Sequence, residues 1–257
     1  MIDTSKISEI AKNAKWYHTI KLTPEIETNG VYNHYQYLQY YKFPNSLEGL
    51  TALDIGTGDG FFAFEFEKRG AMAVTAIDTN RFDGSVAIKP SPSFEDSYAK
   101  KYDGIYRTNI SFESIYKELG LLEPNLFLIA SMILNSKVKY EQISIYDMSC
   151  DDQFDFVFCG DLIEHLKDPL GAAEKMRCLT KKLCIISLSS IPDGADNNKS
   201  LRYAGNVSGG SFFNFYPGTF REVLLASGFS SVKVVSTFGL NSKRSSNNKH
   251  AIFHCVP

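Results

Sequence analysis

A mostly apolar run, Leu50–Ile55, ends in three glycines spaced two apart, Gly56, Gly58 and Gly60, and the chain then turns at once into a helical pattern. Glycines at a strand-to-helix turn let the backbone turn tightly and approach a ligand more closely than any Cβ allows. From Leu50 onward strand and helix patterns alternate, which predicts βαβ units and a parallel sheet with helices on both faces. A sheet of that kind binds its ligand outside the carboxyl ends of its strands, where this turn lies.

The elements follow from local chemistry. Phe61–Arg69 reads as a helix closed by Gly70, and Ala73–Ile77 as the second strand. Leu126–Leu134 reads as a helix, with strands over Val138–Ile145, Phe154–Cys159 and Leu183–Leu188. Asp168-Pro169 opens another helix with a capping carboxylate and a proline at its first position, and Lys181-Lys182 reads as that helix's solvated end. Pro192–Gly210 is a polar loop, Pro217–Ser227 a helix ending at Gly228, and Val232–Val235 and Ala251–Val256 the last strands, joined by the polar loop Asn241–Lys249. Before the alternation, residues 4–14 place Ile7, Ile10, Ala11 and Ala14 at helical spacing, and a Tyr-rich irregular segment runs from Trp16 to Pro44. Residues 81–123 are too long for an ordinary connection and are expected to form a lid. The expected organisation is a segment 1–46 capping a domain 47–257 with 81–123 inserted.

Composition narrows the class. No apolar stretch reaches the roughly 20 residues of a membrane helix, and the N-terminus lacks the apolar core of a secretion signal. Cys150, Cys159, Cys178, Cys184 and Cys255 show no C-x-x-C spacing and read as free thiols of a cytoplasmic protein, with no metal site. A net charge of −2 gives no reason to expect strong non-specific binding to a polyanion; Lys243-Arg244 and Lys249-His250 make the one basic stretch that suits a phosphate, but its serines and asparagines look more like a flexible hairpin loop.

The turn is not a dinucleotide fingerprint. G-x-G-x-x-G needs a glycine where this chain has Phe61, so a nicotinamide-dependent oxidoreductase is disfavoured. Asp78 closes the second strand, where an acid can accept hydrogen bonds from ribose hydroxyls.

The pattern Asp54-x-Gly56-x-Gly58-x-Gly60 resembles the first motif of class I S-adenosyl-L-methionine-dependent methyltransferases. Trp16–Ile20, residues 53–71, Ser144–Ser149, residues 154–182 and residues 214–229 together resemble the group of the tRNA wobble-uridine carboxymethyl-transferring enzymes and their methyltransferase relatives, in the same order. That resemblance implies an α/β, Rossmann-like fold with a seven-stranded, mostly parallel sheet whose last strand is antiparallel. It also implies S-adenosyl-L-methionine as cofactor, with Gly56, Gly58 and Gly60 around its aminoacid end and Asp54 orienting the loop. Asp78 and Thr79 would hold the ribose, Asp147 and Met148 the adenine, and Cys159, Gly160 and Asp161 would sit beside the sulfonium. The basic residues that hold an extra carboxylate in the carboxymethyl-transferring enzymes have no evident counterparts, so plain S-adenosylmethionine is expected.

Methyl transfer to a hydroxyl benefits from a base. His165, His18 and Asp161 are the catalytic candidates, and Tyr17, His18, Arg202 and Tyr203 the candidates for holding the acceptor. Plainer roles stand beside these: a turn histidine bonded to backbone for His165, packing for His18, a helix cap for Asp161, and a solvated loop for Arg202 and Tyr203. The expected function is methylation of a small molecule, at oxygen. A tRNA wobble-uridine enzyme and a non-catalytic cofactor-binding module are the alternatives. The near-neutral charge favours the small acceptor, because RNA affinity depends on Lys and Arg contacts to phosphate. Oligomeric state has no signature here.

Overall fold

A computed structural model describes residues 4–79, 125–189, 191–192, 200–205, 211–243 and 247–257. The expected lid, 81–123, lies outside the described residues, as does Arg244. Five parallel strands, β1 (Thr51–Ile55), β2 (Ala73–Asp78), β3 (Lys139–Gln142), β4 (Phe154–Gly160) and β5 (Thr180–Leu188), form the first part of one sheet. A short ribbon of β6 (Leu201–Tyr203) and β7 (Phe213–Phe215) stands apart from it. The sheet is completed by β8 (Ser231–Leu240) and β9 (Asn248–Val256), giving seven strands in the order β3-β2-β1-β4-β5-β9-β8. β9 is antiparallel to both of its neighbours, as expected for the last strand.

Because successive side chains of a strand face opposite sides, β4 feeds two cores. Phe156 and Phe158 pack with Trp16, Tyr41, Phe43, Phe62 and Phe66 on one face, while Val157 and Cys159 pack with Leu53, Leu179, Ile186 and Phe253 on the other. The all-buried Phe61, Phe62, Phe64 and Phe66 of the Phe61–Lys68 helix therefore serve as core. The N-terminal residues join the first of these cores. Ile7, Ile10 and Ala11 of the Thr4–Asn13 helix are buried, and the Trp16 indole donates to the Ile10 carbonyl at 3.1 Å. The aromatic segment is more ordered than its composition suggested: it carries short helices over Tyr35–Tyr37 and Leu38–Tyr41, and Tyr40 stacks on Phe238 of β8.

Helix starts obey their local chemistry. Asn125 Oδ1 accepts from the Leu128 N–H to cap Leu126–Leu134, and Asp168 Oδ1 accepts from Gly171 N–H ahead of Pro169 in the Pro169–Leu179 helix.

Several expectations are corrected. Lys181 and Lys182 lie in β5, and Lys182 pairs with Asp155 at 3.1 Å across to β4: the helix stops at Leu179 because Thr180 is already extended. The third strand covers only Lys139–Gln142, since Ile145–Asp147 tightens into a 3₁₀ turn behind the Ser144 cap. Part of the Pro192–Gly210 loop is β6, which finds its partner in β7. The cysteines are not all free. Cys150 and Cys178, with Cα atoms 5.5 Å apart, are joined in a disulfide that ties the segment after β3 to the Pro169–Leu179 helix, a pairing that sequence spacing alone does not signal. Cys159, Cys184 and Cys255 are buried free thiols. Among the described residues, no helix is long and apolar enough to cross a membrane.

Candidate active site

The glycine turn is built as its sequence demands. Gly56, Gly58 and Gly60 have φ of 74°, 58° and 96°, in the left-handed region that side chains avoid. Asp54, buried at the end of β1, accepts from the Thr57 hydroxyl at 2.7 Å and so fixes the turn's entry; burial pushes its carboxyl up to about 7. Asp78, at the end of β2, accepts from the Gly58 N–H at 2.8 Å. Thr79 follows, its carbonyl 3.3 Å from the Gln142 amide. Asp147 is exposed beyond β3, while Met148 is buried with its carbonyl held by Lys175 Nζ at 2.6 Å.

Asp59, inside the turn, does something the motif did not announce. Its Oδ2 accepts from the backbone N–H groups of both Tyr17 and His18 at 2.9 Å, and its Oδ1 faces His18 Nδ1. One carboxylate thus seats the N-terminal segment on the glycine turn. His18 is buried against Phe61, Phe62 and His34, and its Cε1 lies 3.9 Å from where a Cβ on Gly58 would stand. His34 bonds the Tyr41 hydroxyl at 3.0 Å; burial holds the His34 pKa well below the usual imidazole value and raises that of Tyr41, so neither group is charged.

A second polar group sits where β4 ends. Asp161 has φ of 48°, unusual outside glycine and tolerated best by Asn and Asp. Its Oδ1 accepts from the Ser187 hydroxyl at 2.6 Å and its Oδ2 meets His250 Nε2 at 3.0 Å. Asp161 is therefore not the helix cap that its position suggested; the Ile163–His165 turn begins at Leu162 with no side-chain cap. Burial works against the ionised Asp161, but His250 and Ser187 outweigh it and hold the pKa at about 2. His250 in turn is not part of a phosphate-binding surface. It is 1% exposed and turned inward from β9, with Nδ1 on the Asn248 carbonyl at 2.8 Å. Both of its nitrogens face acceptors, so both donate and the ring is an imidazolium.

His165 is half-buried in the turn after β4, its N–H donating to the Leu162 carbonyl at 2.9 Å. Its neighbour Glu164 is fully buried: Oε1 takes the Ser189 N–H at 3.0 Å and the Ser189 hydroxyl, and Oε2 has no partner. Burial raises its pKa. Cys159 offers only its backbone to the site, because its thiol lies in the apolar core; Gly160 follows it, with no room for a Cβ beside Phe158. Arg202 and Tyr203 are exposed on the β6–β7 ribbon, which docks on the turn through the Phe212 N–H to Glu164 carbonyl bond of 2.8 Å.

The structure thus gathers Asp54, the three glycines, Asp78 and His18 at one turn, and Asp161 at the end of the neighbouring strand β4. It leaves Arg202 and Tyr203 on the outer ribbon. The roles of Asp59 and Glu164 escaped the sequence reading, and His250 was read only as part of a basic stretch. Asp59 alone had a local signal, as the one acid between the first and last glycines of the motif.

Sheet order, glycine turn and the acid ending β2 define a doubly wound nucleoside-cofactor-binding fold of the kind used for methyl transfer. The chain belongs to the methyltransferase-domain family, whose model matches residues 32–234. It is an S-adenosylmethionine-dependent methyltransferase. The match is to the methyltransferase domain at large, not to the wobble-uridine subgroup. A search of curated proteins finds no match by sequence. Solved structures similar to it include the N-terminal domain of EvdMO1 with S-adenosylhomocysteine bound, at 11% identity over 100% of this chain and 98% of that one, with a TM-score of 0.59. Another is the Burkholderia thailandensis 1,6-didemethyltoxoflavin-N1-methyltransferase with 1,6-didemethyltoxoflavin and S-adenosylhomocysteine, at 14% identity over 81% and 72% of the chains, with a TM-score of 0.52. At these identities the likeness is one of fold.

Proposed function

We propose that this chain methylates a small-molecule acceptor at a hydroxyl oxygen, with residues 1–46 forming the cap that covers the acceptor. The observation that carries this reading is the seating of Tyr17 and His18 on Asp59, which puts the buried His18 imidazole, packed against Phe61 and Phe62, beside Gly58.

The residues present fit the cofactor. Gly58 is open on its Cβ side, with His18 Cε1 3.9 Å away as the nearest atom, and Asp78 reaches the same turn with a carboxylate that can exchange the Gly58 N–H for ribose hydroxyls. In this reading Gly56, Gly58 and Gly60 hold the aminoacid end, Asp54 keeps the turn in shape, and Thr79 lies beside the ribose. Exposed Asp147 and the Met148 backbone receive the adenine, and the backbone of Cys159 and Gly160 with Asp161 borders the reacting centre. S-adenosylmethionine supplies the electrophilic methyl group on its sulfonium. The chain supplies position, exclusion of water and a base.

His18 is the base we favour among the candidates. Asp161 has both oxygens engaged and is held ionised far below neutrality, so it is a weak base that suits charge stabilisation. His165 lies on the turn that carries the outer ribbon, whose Arg202 and Tyr203 reach for the far end of the acceptor.

A small acceptor is favoured over RNA by the charges at the sheet's mouth. Asp59, Asp78 and Asp161 bring acidic side chains there, two of them met by His18 and His250, whereas an RNA site gathers Lys and Arg for phosphates. The test is incubation with methyl-labelled S-adenosylmethionine and either a metabolite extract or total tRNA. Label in the metabolite fraction supports the reading, and label confined to tRNA overturns it.

A further inference from the structure

We propose that Asp59 is a positioning residue for catalysis: it fixes the tautomer of His18 so that the lone pair at Nε2 faces the acceptor. The proposal deepens the methyl-transfer reading above and rests on it for the identity of the step.

The geometry assigns every lone pair and proton of the pair. Asp59 Oδ2 accepts two backbone N–H groups, from Tyr17 and His18, so the carboxylate is an acceptor throughout and cannot rotate. Its Oδ1 then faces His18 Nδ1, which must carry the proton and donate it. A neutral imidazole protonated at Nδ1 is unprotonated at Nε2. The edge that carries Nε2 includes Cε1, the atom nearest to the open side of Gly58. The ring is held on its other sides by Phe61, Phe62 and His34, and His34 is a poor rival for the acceptor's proton, because burial lowers its pKa well below the usual imidazole value and its Nδ1 is already bonded to the Tyr41 hydroxyl. The His18 backbone is fixed as well: a Cβ on Gly30 would lie 2.1 Å from the His18 carbonyl carbon, so only glycine lets the two strands of the segment close up here.

The step balances. As the acceptor oxygen bonds the methyl carbon, its proton passes to Nε2 and the electron pair of the broken C–S bond stays on sulfur. The positive charge that leaves the sulfonium appears on the His18 imidazolium, beside the Asp59 carboxylate that stabilises it.

Asp59→Asn is the discriminating variant. Its amide oxygen can still accept the Tyr17 and His18 N–H groups, but its NH₂ now faces Nδ1 and donates to it, which moves the ring proton to Nε2. Long-range ¹H–¹⁵N spectra of protein labelled with ¹⁵N-histidine, with His18 assigned through His18→Gln, read the tautomer directly at about pH 8, where an ordinary imidazole is neutral. We expect Nδ1–H in the wild type and Nε2–H in Asp59→Asn. We also expect S-adenosylhomocysteine binding by calorimetry within about twofold of wild type, and label transfer into the accepting extract slowed about 10²–10⁴-fold, the contribution of a general base. A purely structural Asp59 would leave the tautomer or the transfer rate unchanged in this variant, and either result overturns the proposal. So does Nε2–H in the wild type, a measurement that does not depend on the Asp59→Asn variant. A wild type that transfers no label counts against the methyl-transfer reading instead, and the tautomer comparison then decides the Asp59–His18 arrangement by itself.

Discussion

The Asp161 carboxylate and the His250 imidazole meet 3.0 Å apart, joining the end of β4 to β9 across the intervening β5. Neither partner is an outer-surface group: the side chains are 20% and 1% exposed. A buried charge left without its partner is costly, more than the pair itself is worth. His250→Gln is therefore expected to lower stability by about 3 kcal/mol, and adding Asp161→Asn to it is expected to recover part of that loss, because Asn tolerates the same left-handed backbone. Denaturant unfolding of the three variants checks both.

The same pair sets a pH window. Asp161 is held low, at about 2, so its contribution is complete above the ordinary carboxylate value near 4 and is lost as pH falls through about 2. His250 is raised by Asp161, which outweighs its burial, so its contribution is complete below the ordinary imidazole value near 6.5 and is lost as pH rises through the raised value. The stability difference between wild type and His250→Gln should therefore be largest between about pH 4 and 6.5. A difference that grows steadily above pH 7 would contradict the assignment.

Asp78 is expected to govern cofactor affinity. If Asp78 holds the ribose as proposed, Asp78→Ala removes its charge-assisted bonds and should weaken S-adenosylmethionine or S-adenosylhomocysteine binding about tenfold or more. Calorimetry reads this, and unchanged affinity would mean the cofactor site is misplaced.

How much of this was legible in the sequence depends on how local each signal is. The glycine turn and β1 were legible because Gly56, Gly58 and Gly60 are needed for backbone conformation at those positions. Asp168 capping Gly171 was legible for the same kind of reason. Lys181 and Lys182 were misread because charged residues at an exposed sheet position look like a helix end. The Cys150–Cys178 and Asp161–His250 pairs were not legible, since each joins elements that meet only once the sheet order is known. Asp59 lay in view, but its role depends on where a segment some forty residues earlier comes to rest.

Gly60 tests whether the turn is as tight as described. With φ of 96°, it also leaves an added Cβ 2.5 Å from the Phe64 ring and 2.7 Å from Phe127. Backbone strain and overpacking together should make Gly60→Ala cost about 3 kcal/mol in unfolding experiments. A cost below about 1 kcal/mol would show that the ring pair yields freely.

The most direct test of the central claim follows label from methyl-labelled S-adenosylmethionine into a metabolite extract, with wild type, Asp78→Ala and His18→Gln compared side by side. The account predicts label in a small-molecule fraction with the wild type and strongly reduced transfer with both variants. Label appearing only in tRNA, or transfer undiminished in His18→Gln, would contradict it.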